Sequence, residues 1–194
     1  DTLSLHDALP IYIDNAIRYS NKTLNVFKKV ADQYYISSIE DSMGKLFCEF
    51  DNMEESFMHY NKAKELRRSN HDPELVETLI NICENYIKMK DIENTKIVLE
   101  EIVKSVEAGN DKVVIKCYLL KYRVSLLEGN KNEAENTILL ALSFVKNMDF
   151  KKDAAEISII IGKFYIDNGR DAEASKYLDY GVDMFRQLGM LAGI

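Results

Sequence analysis

Two prolines and eight glycines in 194 residues leave little room for long unstructured stretches. A basic block is missing too: 25 basic residues stand against 32 acidic ones, a net charge of −7. Nucleic acid binds through clustered Lys and Arg, so an acidic chain of this kind is a poor nucleic-acid partner. No apolar run approaches the ~18 residues that a membrane helix needs, so no membrane span or membrane partner is expected. The first residues have neither a basic start nor a long apolar core, which argues against a signal peptide. Cys48, Cys83 and Cys117 are odd in number and share no short spacing. That is the pattern of buried, reduced thiols in a cytoplasmic protein, not of a disulfide framework or a zinc site.

Catalytic signals are missing as well. The three histidines are His6, His59 and His71; His59 reads as part of an exposed stretch and His71 as a loop residue, and neither has a Cys or carboxylate at a metal spacing. There is no Gly-rich phosphate loop, no GxSxG elbow and no HExxH. No catalytic residue, metal or cofactor is therefore expected, and the chain reads as non-enzymatic. Acidic pairs such as Glu54–Glu55 and Glu100–Glu101 read as solvated helix faces. The many tyrosines lie at helical spacing and are expected to pack between helices, with their hydroxyls reaching the surface.

What the chain does have is a rhythm. Within residues 157–188, ISIIIGKFYIDNGRDAEASKYLDYGVDMFRQL, a small residue at Gly162 is followed by Tyr165, a turn at Gly169, small Ala174, apolar Leu178 and small Gly181. The same offsets from Tyr122 reach Ser125, Gly129, Ala134, Ile138 and Ala141. From Cys83 they reach Tyr86, Lys90, Thr95, Leu99 and Ile102; from Gly44 they reach Phe47, Asp51, Ser56, Tyr60 and Ala63. The starting points step by 39, 39 and 40 residues. Small residues let the two helices of a pair approach, and the aromatic fills the gap between neighbouring pairs. Tyr122 in a small slot and Lys90 in a turn slot are departures, so the two middle units are degenerate.

This spacing resembles the tetratricopeptide (TPR) helical hairpin. The expected fold class is all-α, a TPR-like α-α superhelix: a right-handed solenoid of antiparallel helix pairs, with a step longer than the usual ~34 residues. Residues 1–11, DTLSLHDALPI, stand outside the pattern and resemble translated sequencing-adaptor read-through, so they are expected not to belong to the fold, and the protein is expected to continue upstream. Residues 12–194 then form the repeat domain: an orphan second helix over 12–34 and repeats over about 36–70, 73–109, 111–148 and 150–189. Asp72 followed by Pro73 is a helix start, Gly109 a left-handed helix stop, and Asn130 with Glu133 a capping pair.

In a stacked hairpin array the first helices line the concave face, and the residue after each small slot points into it. Those residues are Lys45, Glu84, Arg123 and Lys163. Three positions earlier come Ser42, Asn81, Leu120 and Ile160, and one before those Asp41, Ile80, Leu119 and Ile159. The plain reading is solvated surface. The functional reading is a groove for an extended peptide: Asn81 hydrogen-bonds its backbone, Arg123 and Lys163 take a carboxylate, and Ile80, Leu119 and Ile159 take apolar side chains.

The long helices and segments such as FCEFDNMEESFMHYNKAKEL and YIDNGRDAEASKYLDYG resemble the C-terminal sensor half of peptide-responsive helix-turn-helix/TPR transcriptional regulators of Gram-positive bacteria. The resemblance implies a non-enzymatic module that binds a peptide or protein partner in the concave groove and dimerises, behind a separate DNA-binding domain. A general TPR adaptor, or a repeat domain attached to an enzyme domain, stays open as an alternative.

Overall fold

The computed structural model of the chain describes residues 5–105 and 110–190. These residues form nine α-helices and no strand: α1 (Leu5–Lys29), α2 (Gln33–Glu49), α3 (Met53–Ser69), α4 (Leu75–Lys88), α5 (Ile92–Ser105), α6 (Asp111–Leu127), α7 (Lys131–Asn147), α8 (Lys151–Asp167) and α9 (Asp171–Gln187). α1 begins inside the segment 1–11 that stands outside the repeat pattern, and Tyr34 falls in α2, not in the leading helix. The helix stop read at Gly109, residues 1–4 and the tail 191–194 lie outside the described residues.

The links between helices follow one local rule. The four turn slots of the repeat, Asp51, Lys90, Gly129 and Gly169, all take positive φ, at 61°, 60°, 72° and 69°. Lys90, the departure in the pattern, keeps the backbone of the slot without its glycine, at some conformational cost. The next N–H then reaches back to close the preceding helix: Asn52 to the Phe47 carbonyl, Asp91 to Tyr86, Asn130 to Ser125 and Arg170 to Tyr165, each at 2.9 Å. Ala31, His71 and Asp149 repeat the left-handed turn at other links, with φ of 54°, 51° and 56°.

The residue after the turn caps the next helix where it is Asp or Asn. Asn52 accepts from the Glu55 N–H at 3.3 Å, Asp91 from Asn94 at 3.1 Å and Asn130 from Glu133 at 3.2 Å. Asp72 instead takes the Glu74 N–H at 2.9 Å. α8 and α9 start at Phe150 and Arg170, which supply no side-chain cap.

The chain divides into two compact units, Asp1–Asn85 and Tyr86–Ile194, with the division falling inside α4. In the first unit α2 and α3 form a hairpin that crosses at Gly44. A Cβ there would lie 2.6 Å from Tyr60 Cδ1, so only glycine lets the Tyr60 ring seat. Ala63, Met43 and Tyr60 are buried around this crossing. In the second unit α6 with α7 and α8 with α9 form hairpins, and α7 packs on α8. Ile138, Val145, Ile157 and Ile161 make its apolar centre, together with Ala134, Ala141, Ala154 and Ala174. Gly162 is the matching crossing: a Cβ there would stand 2.5 Å from Leu178 Cγ.

Candidate functional site

In the first unit, α2 supplies Asp41 and Lys45, and α4 supplies Ile80, Asn81 and Glu84. Asp41 and Asn81 meet directly: Asn81 Nδ2 donates to Asp41 Oδ2 at 3.2 Å, across 40 residues of sequence. Lys45 and Glu84 are exposed and lie one turn further along their helices. Ile80 does not stand on a groove floor: at 4% exposure it is part of the core, three residues from the fully buried Cys83 on the same helix stripe.

Asp41 is tied to a residue outside the row expected from the sequence. Arg67, in the last turn of α3, is 4% exposed, and its Nη1 lies 3.3 Å from Asp41 Oδ1. The same guanidinium donates to Glu74 Oε2 at 2.8 Å, to the Glu74 carbonyl at 3.3 Å and to the Thr78 hydroxyl. The Tyr34 hydroxyl donates to Glu74 Oε1 at 3.3 Å. Burial pushes the Asp41 carboxyl above the usual carboxylate range, against the pull of Arg67 and of hydrogen bonds from Thr78 and Asn81. Asp41 Oδ1 and Arg67 Nε are buried without a hydrogen bond.

The reason Arg67 is inside lies in its spacing. Ser56, Tyr60, Ala63 and Arg67 recur at four, three and four residues, and all are buried. The stripe carries a cation into the interior, where carboxylates of neighbouring elements meet it. The stripe also takes in His59, which by its sequence reads as part of an exposed stretch. His59 is 6% exposed; its Nδ1 lies 2.5 Å from Glu40 Oε2, and its ring stacks on Phe47 with centroids 5.3 Å apart. A polar residue three or four positions from buried small residues was the signal available for both.

In the second unit, α6 supplies Leu119 and Arg123 and α8 supplies Ile159 and Lys163. Leu119 is half-buried against the apolar cluster. Ile159 reaches across to α9: a Cβ on Gly181 would lie 2.8 Å from Ile159 Cδ1, so this side chain fills the hairpin joint. Arg123 is half-buried and Lys163 is exposed. A separate polar group joins α7 to the start of α9. Arg170 Nη1 holds Glu135 through both oxygens at 2.9 and 2.8 Å, the Tyr165 hydroxyl donates to the same carboxylate at 2.8 Å, and Arg170 lies over the Tyr165 ring at 4.3 Å. Among the described residues no group of three or more His, Cys, Asp or Glu is placed to hold a metal ion. None of their helices is long and apolar enough to cross a membrane.

No family model matches the sequence, and no curated protein sequence matches it either. Solved structures do match. The chain is similar to the apo form of RapI, with a TM-score of 0.66 and 16% identity over 95% of this chain and 50% of RapI. It is also similar to BtubC (BKLC) from P. vanneervenii, with a TM-score of 0.64 and 13% identity over 95% of this chain and 85% of BtubC. The chain thus spans half the length of RapI. At these identities the likeness establishes the fold: an all-α, TPR-like helical repeat.

Proposed function

We propose that the chain is a non-enzymatic repeat module that binds a peptide or protein segment, and that it serves in the cytoplasm as the peptide-sensing and dimerising part of a transcriptional regulator. The observation that carries the binding reading is the Asp41–Asn81 pair. Two side chains from consecutive first helices meet at 3.2 Å, the Asn81 amide donating to Asp41 Oδ2, while Arg67 holds the other carboxylate oxygen from inside. An extended peptide offers alternating N–H and C=O groups, the complement of a carboxylate oxygen beside an amide. Lys45 and Glu84, one turn further along and exposed, add charges of both signs that select a peptide by its side chains. In the second unit Arg123 and Lys163 supply cations and Leu119 an apolar contact. The likeness to RapI, crystallised in a form described as apo, supports a ligand-responsive use of this fold.

The likeness to BtubC supports a second reading, a self-standing adaptor that docks a protein partner, since a fold of this extent covers 85% of that protein. Calorimetric titration with a peptide recovered by display separates the two. In the sensor reading Asn81→Ala weakens binding by about 1–3 kcal/mol, the cost of leaving a buried polar partner unpaired, and Arg123→Glu by about 2–5 kcal/mol. Affinity unchanged in both variants, but lost on reversing the exposed second-helix residues Lys176 or Asp183, moves the site to the opposite face and selects the adaptor.

A further inference from the structure

Within the second unit a cavity of about 310 Å³ lies beside α5 and α6, lined by Val103, Val114, Cys117, Tyr118 and Lys121. Val114, Cys117, Tyr118 and Lys121 are spaced i, i+3, i+4 and i+7, so they form one face of α6. Lys121 and Arg123 are two residues apart, roughly 200° around the helix, so this face is not the one that carries Arg123. The lining is mostly apolar, with the lysine at one end of the face. Cys117 is 8% exposed, and burial pushes its thiol above its ordinary pKa while the Lys121 charge works against that, which puts the ammonium within electrostatic reach of the cavity. The Tyr118 ring is braced by Phe144, with centroids 6.1 Å apart. Lys121 is exposed and has no carboxylate partner among the described residues, whereas Lys96 pairs with Glu128 and Lys104 with Glu100.

An apolar slot with a free cation at one end has a definite complement. Two helical turns, a rise of about 10 Å, separate Val114 from Lys121. A compact anion leaves the slot unfilled, and a neutral chain leaves the ammonium unmatched. We propose that this cleft binds a medium-chain aliphatic carboxylate, its carboxylate on Lys121 and its alkyl chain along Tyr118, Cys117 and Val114. This is a second site, separate from the peptide row and independent of it. The volume sits at the lower end of the range for small-molecule pockets, about 300–1,000 Å³, which suits one unbranched chain.

Calorimetric titration of the whole chain with hexanoate, octanoate and octanol tests this. Each buried methylene is worth about a fourfold gain in affinity, so octanoate, with two more, is expected to bind about fifteenfold tighter than hexanoate, and octanol at least tenfold more weakly than octanoate. Lys121→Gln, a change at an exposed position, is expected to weaken octanoate about tenfold with the thermal melt unchanged. Val114→Phe fills the slot and abolishes binding; if that variant fails to fold, Lys121→Gln and the chain-length series still decide. Absence of saturable octanoate binding, affinity independent of chain length, or equal binding by the Lys121→Gln variant overturns the site. A peptide ending in a free apolar carboxylate that outbinds octanoate, while its C-terminal amide does not, overturns the aliphatic acid in favour of a chain terminus.

Discussion

The two units are built on the same repeat but hold their helices together by different means. In the first, residues 1–85, the interior carries charge. Arg67 is shared among Asp41, Glu74 and Thr78, Glu40 faces His59, and Asn85 donates to the Ser56 hydroxyl, which itself donates to the Gly44 carbonyl. In the second, residues 86–194, the interior is apolar, Ile, Val and Ala with Leu142, Tyr122, Phe164 and Tyr165, and the charged pair of Glu135 and Arg170 sits at its rim. Buried charge stabilises weakly, because desolvation offsets most of the attraction, but it is intolerant of a missing partner. Apolar packing is the reverse: it accepts many substitutions and resists mainly changes of volume. One scaffold therefore combines a unit whose helix positions are dictated by directional pairs with a unit whose positions are dictated by shape.

The sharpest way to break this contrast is to remove the shared cation. Arg67→Met leaves Asp41 and Glu74 facing each other without a counter-charge and is expected to cost about 3–5 kcal/mol. Adding Asp41→Asn to it should recover a large part, because the neutral amide keeps its partners without the charge. Chemical denaturation of the single and double variants measures both; a single variant as stable as wild type shows that the cluster does not hold the first unit together. The second unit is tested by volume. Ala174→Leu puts a larger side chain where Ala174 is 2% exposed and its carbonyl already faces Gly162, and overpacking should cost about 1–3 kcal/mol. A thermal melt left in place would mean that the α8–α9 joint has slack.

The smallest effect concerns protons and has opposite sign in the two units. Burial raises the Asp41 carboxyl above its ordinary value of 3.8, so its contribution is present below that value and is lost as pH rises through the raised one. Hydrogen bonds from the Asn94 side chain and backbone hold the Asp91 carboxyl below 3.8, so its contribution is present above that value and is lost as pH falls beneath it. The protection of amides in the first turn of α5, taken relative to the free-peptide exchange rate at each pH, should therefore fall from about pH 6 to about pH 3, and Asp91→Asn, a cap without a charge, should flatten that response. Protection at α5 that stays the same across this range rules out the carboxylate as the working cap.

Spacing made the scaffold legible, and its failures are local. Gly44 against Tyr60 and Gly162 against Leu178 are the small and apolar slots of the repeat meeting as the sixteen-residue offset requires. The turn slot kept its backbone at Lys90 and Asp51 without glycine, because the closing hydrogen bonds of the preceding helix, not the side chain, define it. What spacing does not give is a partner. His59 reads from the sequence as exposed and Arg67 does not stand out, although both share the stripe of Ser56, Tyr60 and Ala63, and Asp41, Glu74 and Glu40 are reached only once the helices are placed. The candidate row shows the same limit. Asp41 and Asn81 do come together, whereas Ile80 and Ile159, expected to be open to a ligand, are taken up by the core and by the α9 joint. A helical face turns by about 100° per residue, so a row chosen one position off trades surface for interior.

The links have a kinetic consequence. A left-handed residue followed at once by a cap joins α2 to α3, α4 to α5 and α6 to α7, and α8 is joined to α9 by a link as short. Within a hairpin, then, partners are close along the chain, and closing each pair costs little entropy. Such a hairpin can form early and by itself, recruiting its neighbours afterwards in whichever order they arrive. A chain of this kind should unzip from any damaged hairpin outwards, so that a lesion opens one stretch to proteases while the far end still stands.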